Sequence, residues 1–260
     1  MTSFVEIGGR RLEYRWAGPS AQTPAGSRPV LVFLHEGLGS VALWKQFPDR
    51  VAEQTGCRAL IYSRYGYGRS DELAAPRLPD YMHREALEVL PELLERLGVE
   101  EPVLVGHSDG ASIALIHAGS GMRPLRGVVA MAPHVFVEEI SIRSIEQAKT
   151  AFESTDLGQK LGRYHDHPET MFRGWNDIWL HPGFRDWNIE DRLPAIRAPL
   201  LLIQGEDDQY GSLAQIEAIE RQAGSAARTC ILPDCAHSPH VDQPDATVEE
   251  ISGFVGRICA

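Results

Sequence analysis

Val103-Leu104-Val105-Gly106-His107-Ser108-Asp109-Gly110-Ala111-Ser112-Ile113-Ala114 passes from an apolar run, through a turn of the form G-x-S-x-G, into a helix-compatible run. Between a strand and a helix, that pattern sets a serine on a sharp, strained turn. Small residues are required on either side, because at Gly106 and Gly110 the strand and helix backbones pass close together. Ser108 is then exposed at the carboxyl end of the sheet. The Asp109 N–H, at the helix start, points to where an oxyanion would form. The plain alternative is a glycine-rich turn with an incidental serine, so the partners of Ser108 decide between the two.

Toward the N-terminus, Phe4–Ile7 and Arg11–Trp16 form two short strands joined at Gly8-Gly9, a hairpin signal. Residues 19–29 form a Pro/Ser/Gly/Ala-rich loop. Val30–Leu34 is continuously apolar, as a strand buried on both faces should be, and ends in the glycine-rich His35-Glu36-Gly37-Leu38-Gly39-Ser40. A glycine-rich loop at the end of a central strand is where a ligand site belongs in an open α/β sheet. Residues 44–56 form a helix and Arg58–Tyr62 a strand, followed by the loop Ser63-Arg64-Tyr65-Gly66-Tyr67-Gly68-Arg69-Ser70. Residues 81–97 carry helical apolar spacing, with Pro91 inside the pattern to kink or divide it.

Toward the C-terminus, Arg126–Met131 is a further strand, closing a βαβ series that implies a parallel sheet. From 133 to 194 the rhythm changes to polar helical patterns with aromatics, and no strand is convincing. Met171, Trp175 and Trp179 recur at i, i+4, i+8 and share one helix face. That face either lines an acyl pocket or packs this segment onto the core, and both can hold for different residues. The strand rhythm then resumes at Pro199–Ile203 and Ala227–Leu232, with helices at 213–221 and 247–258. The expected architecture is α/β: a mostly parallel eight-stranded sheet with helices on both faces. Residues 1–132 and 195–260 form the core, and 133–194 an inserted helical cap.

A chain of 260 residues with 43% hydrophobic and 23% charged residues can bury a full core. A net charge of −11 argues against nucleic acid or an anionic membrane as partner. No apolar run approaches a membrane span, and the first residues lack the regions of a signal peptide. Cys57, Cys230, Cys235 and Cys259 lack the spacing of a zinc site or redox motif, so free thiols and a cytoplasmic location are expected.

An activated serine needs a base, and the base an orienting carboxylate. Candidates for both stand at carboxyl ends of expected strands, in Gly205-Glu206-Asp207-Asp208 and Ala236-His237-Ser238-Pro239-His240, giving the chain order Ser, Asp, His. Together with the loops at His35 and Arg64 and the turn at Ser108, these stretches resemble the α/β-hydrolase fold family over nearly the whole chain. The similarity is nearest to its capped esterase and C–C-hydrolase branch. The resemblance implies Ser108 as nucleophile and His237 as base. It selects Asp208 over Asp207, since the acid comes three residues after the strand-end glycine. It also implies an oxyanion hole from the N–H of Asp109 and that of Gly37 or Leu38.

One departure stands out: where the family usually shows glycine after the loop histidine, this chain has Glu36. A carboxylate there could bind a substrate cation, steer the loop through a local hydrogen bond, or face solvent. Asp109 could attract a substrate amine, or be simply a helix-start aspartate, the preferred reading. Glu36, Asp109, Trp175 and Trp179 are thus the candidate pocket residues. His107 is expected to pack away from Ser108, His165 and His167 to lie in a solvated turn rather than at a metal, and His83 and His117 to be ordinary helix residues.

The expected reaction is hydrolysis of a carboxylic ester, thioester or lactone through an acyl-enzyme, without metal or organic cofactor. The resemblance leaves two alternatives: C–C hydrolysis of a vinylogous diketone, and a small-molecule receptor with little turnover. A serine at the turn disfavours the epoxide hydrolases and haloalkane dehalogenases of the same fold, which use aspartate there.

Overall fold

Two antiparallel strands open the chain, β1 (Ser3–Ile7) and β2 (Arg10–Ala17), turned at Gly8 and Gly9 with φ of +57° and +75°. A computed structural model describes residues 2–19 and 28–260, so the loop expected over 19–29 falls largely outside the described residues. Six parallel strands follow: β3 (Leu31–Leu34), β4 (Ala59–Tyr62), β5 (Val103–His107), β6 (Gly127–Met131), β7 (Leu200–Gly205) and β8 (Ala227–Leu232). The eight strands form one sheet in the order β1-β2-β4-β3-β5-β6-β7-β8, with β2 antiparallel to β4. Every residue of β3 to β7 is buried, which explains their unbroken apolar runs.

Side-chain alternation feeds two apolar layers. Leu31, Phe33, Val103, Val105, Val129 and Met131 face one side. There they meet α1 (Phe47–Thr55) and the last helix, described below. Val32, Leu34, Leu104, Val128 and Ala130 face the other. A helix there runs as α2 (Tyr81–Arg84), a π-helical segment (Glu85–Val89) and α3 (Leu90–Arg96). Pro91 accounts for the irregularity. It has no N–H to give, and the chain widens one turn before it, where the Leu90 N–H reaches back to the Glu85 carbonyl. The Ala86 carbonyl, which Pro91 would have taken in that register, instead accepts from His117 Nδ1 at 2.8 Å. His117 is therefore not an ordinary helix residue: it is fully buried and completes the neighbouring helix.

Helix α4 (Asp109–Ser120) leaves β5 through a turn whose apex, Ser108, has φ +52° and ψ −119°. A Cβ on Gly106 would lie 2.3 Å from the Gly110 carbonyl oxygen, and one on Gly110 would lie 2.1 Å from the Leu34 carbonyl oxygen. No side chain fits at either end.

Between β6 and β7 lie α5 (Glu139–Ser154), α6 (Leu157–Leu161), α7 (Pro168–Trp179) and two 3-10 turns. No sheet strand falls there, and a single bridge, Phe136 to Asn188, pairs the two ends of the segment. The chain ends with α8 (Ala214–Gln222), α9 (Pro239–Asp242) and α10 (Pro244–Ile258). Helix α10 begins three residues before the apolar pattern suggests, because Pro244 suits a first helical turn. Among the described residues no helix is long and apolar enough to cross a membrane.

Candidate active site

The carboxyl ends of β5, β7 and β8 bring three side chains together. His237 Nε2 lies 2.9 Å from Ser108 Oγ, and His237 Nδ1 lies 2.9 Å from each oxygen of Asp208. A carboxylate only accepts, so Nδ1 carries the proton and Nε2 offers its lone pair to the serine hydroxyl. Asp208 also accepts from the Tyr210 N–H at 2.8 Å, the Gly211 N–H at 3.2 Å and Gln204 Nε2 at 2.8 Å. Burial pushes its carboxyl up, but the hydrogen bond and charge of His237 outweigh burial and hold it below the ordinary carboxylate range. Asp207, the neighbour, is exposed.

The strain at Ser108 presents its hydroxyl to His237, and it leaves the Asp109 N–H as the first orphan donor of α4. Among the described residues the N–H groups of Asp109, Gly37 and Leu38 find no protein acceptor. All three residues border one cavity of about 260 Å³, together with Ser108 and His237. The loop carrying Gly37 is held from behind. His35 Nδ1 donates to the Glu36 carbonyl at 2.7 Å, and its Nε2 accepts the Arg64 N–H at 3.0 Å. Arg64 Nη2 also reaches the Glu36 carbonyl at 2.8 Å. Burial, with the Arg64 charge, keeps His35 well below the usual histidine range, so it stays neutral in this role.

Trp175 and Trp179 border the cavity, whereas Met171, Phe184 and Trp187 pack away from it, so the aromatic face divides between the two uses. Trp175 lies against Gly37: a Cβ there would come 2.0 Å from the indole nitrogen. Leu43, Ile145, Leu161 and Tyr210 complete the apolar wall.

Asp109 opens α4, as the helix-start reading expects, but its side chain is engaged there. Its carboxylate is fully buried and has three partners: Tyr81 Oη at 2.8 Å, Trp179 Nε1 at 3.2 Å and the Arg64 guanidinium at 3.5 Å. It is a helix-start residue that is buried and already partnered, and it is not free to receive an amine. Glu36 is turned toward His107, its Oε2 3.5 Å from Nδ1. Burial pushes its carboxyl up, yet the neighbouring His107 outweighs that and holds it far below the carboxylate range. His107 itself is buried among His237, His240 and Trp44.

His165 corrects the expectation of a solvated turn. It is buried, accepts the Gly68 N–H at 2.9 Å, and donates from Nε2 to the Leu38 carbonyl at 2.9 Å. His167 is exposed, near Glu72. No cluster of potential metal ligands occurs among the described residues. His134 is a pocket residue that sequence reasoning missed. It is buried, borders the cavity, and lies with its ring 5.7 Å from that of His237. Burial and the His237 charge push it down to about 4, so it is a neutral hydrogen-bonding group at neutral pH. Its place just past the end of β6, on the edge that carries Ser108, was the available signal.

Residues 31–250 match the sequence model described as the alpha/beta hydrolase family. The proline iminopeptidase of Saccharolobus solfataricus is 25% identical over 276 residues, spanning 90% of this chain and 86% of that protein. The crystal structure of a Mycobacterium smegmatis proline iminopeptidase superposes with a TM-score of 0.76 at 18% identity, over 100% of this chain and 99% of that one. An Exiguobacterium antarcticum esterase does so with a TM-score of 0.76 at 17% identity, over 98% and 100%.

Proposed function

We propose, from the premise that the chain belongs to the alpha/beta hydrolase family, that it is a serine hydrolase cleaving a carboxylic ester, thioester or lactone. The observation that carries this reading is the relay of 2.9 Å contacts from Ser108 through His237 to Asp208. His237 takes the Ser108 proton as Oγ attacks the acyl carbon, while Asp208 fixes the tautomer and stabilises the imidazolium. The Asp109 N–H and that of Gly37 or Leu38 meet the oxyanion. The protonated His237 then gives its proton to the leaving group. Water activated by the same histidine releases the acyl group. The route is complete without a metal or organic cofactor.

Residues 133–194 act as a cap over the core, and its Trp175 and Trp179 bound the acyl site. A cavity of about 260 Å³ with apolar walls favours a small, partly apolar acyl group. Recognition of a substrate amine gains no support from Asp109, whose carboxylate already has three partners.

The test is hydrolysis of aryl esters, thioesters, lactones and aminoacyl esters by the wild type and by Ser108→Ala. The reading expects turnover that falls roughly 10⁶-fold in the variant. Turnover that survives in Ser108→Ala would overturn the role of Ser108, and none in a folded wild type would shift the reading to C–C hydrolysis or ligand binding.

A further inference from the structure

Glu36 replaces the glycine expected after His35, and the structure gives it a destination. The side chain folds back over Gly39, where a Cβ would lie 2.5 Å from Glu36 Oε2, so glycine at 39 makes room for it. The carboxylate is 20% exposed and meets His107, whose side chain is 1% exposed. On the far side of the ring, His107 Nε2 lies 2.7 Å from the carbonyl oxygen of His237.

A carbonyl oxygen accepts and cannot donate, so Nε2 carries a proton. On the other side Nδ1 has no hydrogen-bond partner, but the Glu36 carboxylate faces it at 3.5 Å as a charge and favours a proton there as well. The ring is then an imidazolium between a hydrogen-bond acceptor and a counter-ion. Its other ionisable neighbours are His237, with ring centroids 5.2 Å apart, and His240, 4.9 Å apart. Asp208 contributes at longer range. His240 is wedged against Trp44 and Phe47 and is kept neutral by burial, pushed down to about 3.

We propose that Glu36 and His107 are positioning residues, an ionised pair that locks the main chain of His237 to the loop carrying Gly37. The pair joins the two halves of the catalytic machinery that must stay in register, the base and the oxyanion donors. A second anchor holds the His237 loop, where Asp242 accepts the Ala236 N–H at 3.0 Å. Charge balance requires Glu36. An uncompensated cation beside His237 would oppose the imidazolium that forms there during acyl transfer, and the carboxylate cancels it. The catalytic part of this proposal rests on the serine-hydrolase reading. The ionised pair itself does not.

Two measurements test it on the full-length protein. The first is nitrogen-15 NMR of the imidazoles at neutral pH, in wild type and in the isosteric Glu36→Gln. His107 should carry two ring protons in the wild type and one in the variant. A wild-type His107 with one ring proton overturns the proposal, whatever the protein hydrolyses. The second is steady-state hydrolysis of a p-nitrophenyl ester. Glu36→Gln should lower kcat by ~10- to 100-fold at nearly unchanged KM in a protein that stays folded at the assay temperature, and Glu36→Asp should recover part of it. His107→Asn, which keeps a side-chain donor, should keep more activity than His107→Leu. Unchanged kcat in Glu36→Gln, or a loss matched by lost folding, overturns the positioning role. Failure of the serine-hydrolase reading would appear separately, as wild-type inactivity or as activity surviving in Ser108→Ala, with the NMR result still deciding the pair.

Discussion

Trp179, at the end of α7, donates its indole N–H to Asp109 Oδ1 at 3.2 Å, tying the helical segment to the residue that follows the nucleophile candidate. Tyr81 and Arg64 converge on the same carboxylate, and all four side chains are buried. Replacing Asp109 by Asn removes the charge that Arg64 faces and leaves a buried guanidinium short of a counter-ion. Asp109→Asn should therefore lose about 3 kcal/mol of stability by urea unfolding. Its activity losses on aminoacyl and neutral esters should be equal. A selective loss on aminoacyl esters would instead give Asp109 an amine-binding role.

Gly37 and Trp175 should behave as a coupled pair. Gly37→Ala places a methyl group 2.0 Å from the indole nitrogen, forcing either the loop or the tryptophan to move. The single variant should lose ~100-fold in kcat through displaced oxyanion donors. Adding Trp175→Ala should restore part of that loss while raising KM. A double-mutant cycle with purely additive effects would contradict the packing argument.

His117 carries the cost of Pro91. Substituting His117 by Leu leaves the Ala86 carbonyl buried without a donor, which costs about 1–3 kcal/mol. The midpoint of urea unfolding should fall, with the kinetic constants unchanged. In a Pro91→Ala background the helix can close its own hydrogen bonds, and the penalty should shrink.

The Glu36–His107 pair sets a pH window. Burial opposes both charges, but each partner outweighs it, so the Glu36 pKa is lowered and that of His107 raised. A lowered carboxylate contributes stability that is present above its unfolded pKa of about 4.3 and lost as pH falls through the folded value. A raised histidine contributes stability fully present below about 6.5 and lost as pH rises through the folded value. The stability difference between wild type and Glu36→Gln should therefore be largest between about pH 4.5 and 6.5 and shrink at higher pH. Urea unfolding of both proteins from about pH 5 to 9 checks the trend; a gap that widens with pH would contradict it.

Local pattern was enough for the sheet and for the turn at Ser108, which are written in strand periodicity and in small residues that short-range sterics demand. Asp208 was singled out over Asp207 only by the family resemblance. The destinations of polar side chains were not legible, because they depend on contacts made across the chain. Tyr-His-Asp-His at 164–167 has the composition of a solvated turn, yet His165 is buried against Gly68 and Leu38, 97 and 127 residues away in sequence. Asp109 reads as a helix start, and only the fold brings Tyr81, Arg64 and Trp179 to it. Glu36 showed itself as a departure, but its orientation depends on which way β5 turns His107.

The contacts of Gly106 and Gly110 leave the turn at Ser108 with separate tolerances. Either glycine, given a side chain, collides with main-chain oxygen, so the frame admits no variation there. The apex between them touches that frame only through its own backbone, so a thiol or a carboxylate could stand where the hydroxyl stands. A scaffold made this way keeps its shape whichever small side chain stands at the apex, because the constraint lies in the two glycines on either side of it.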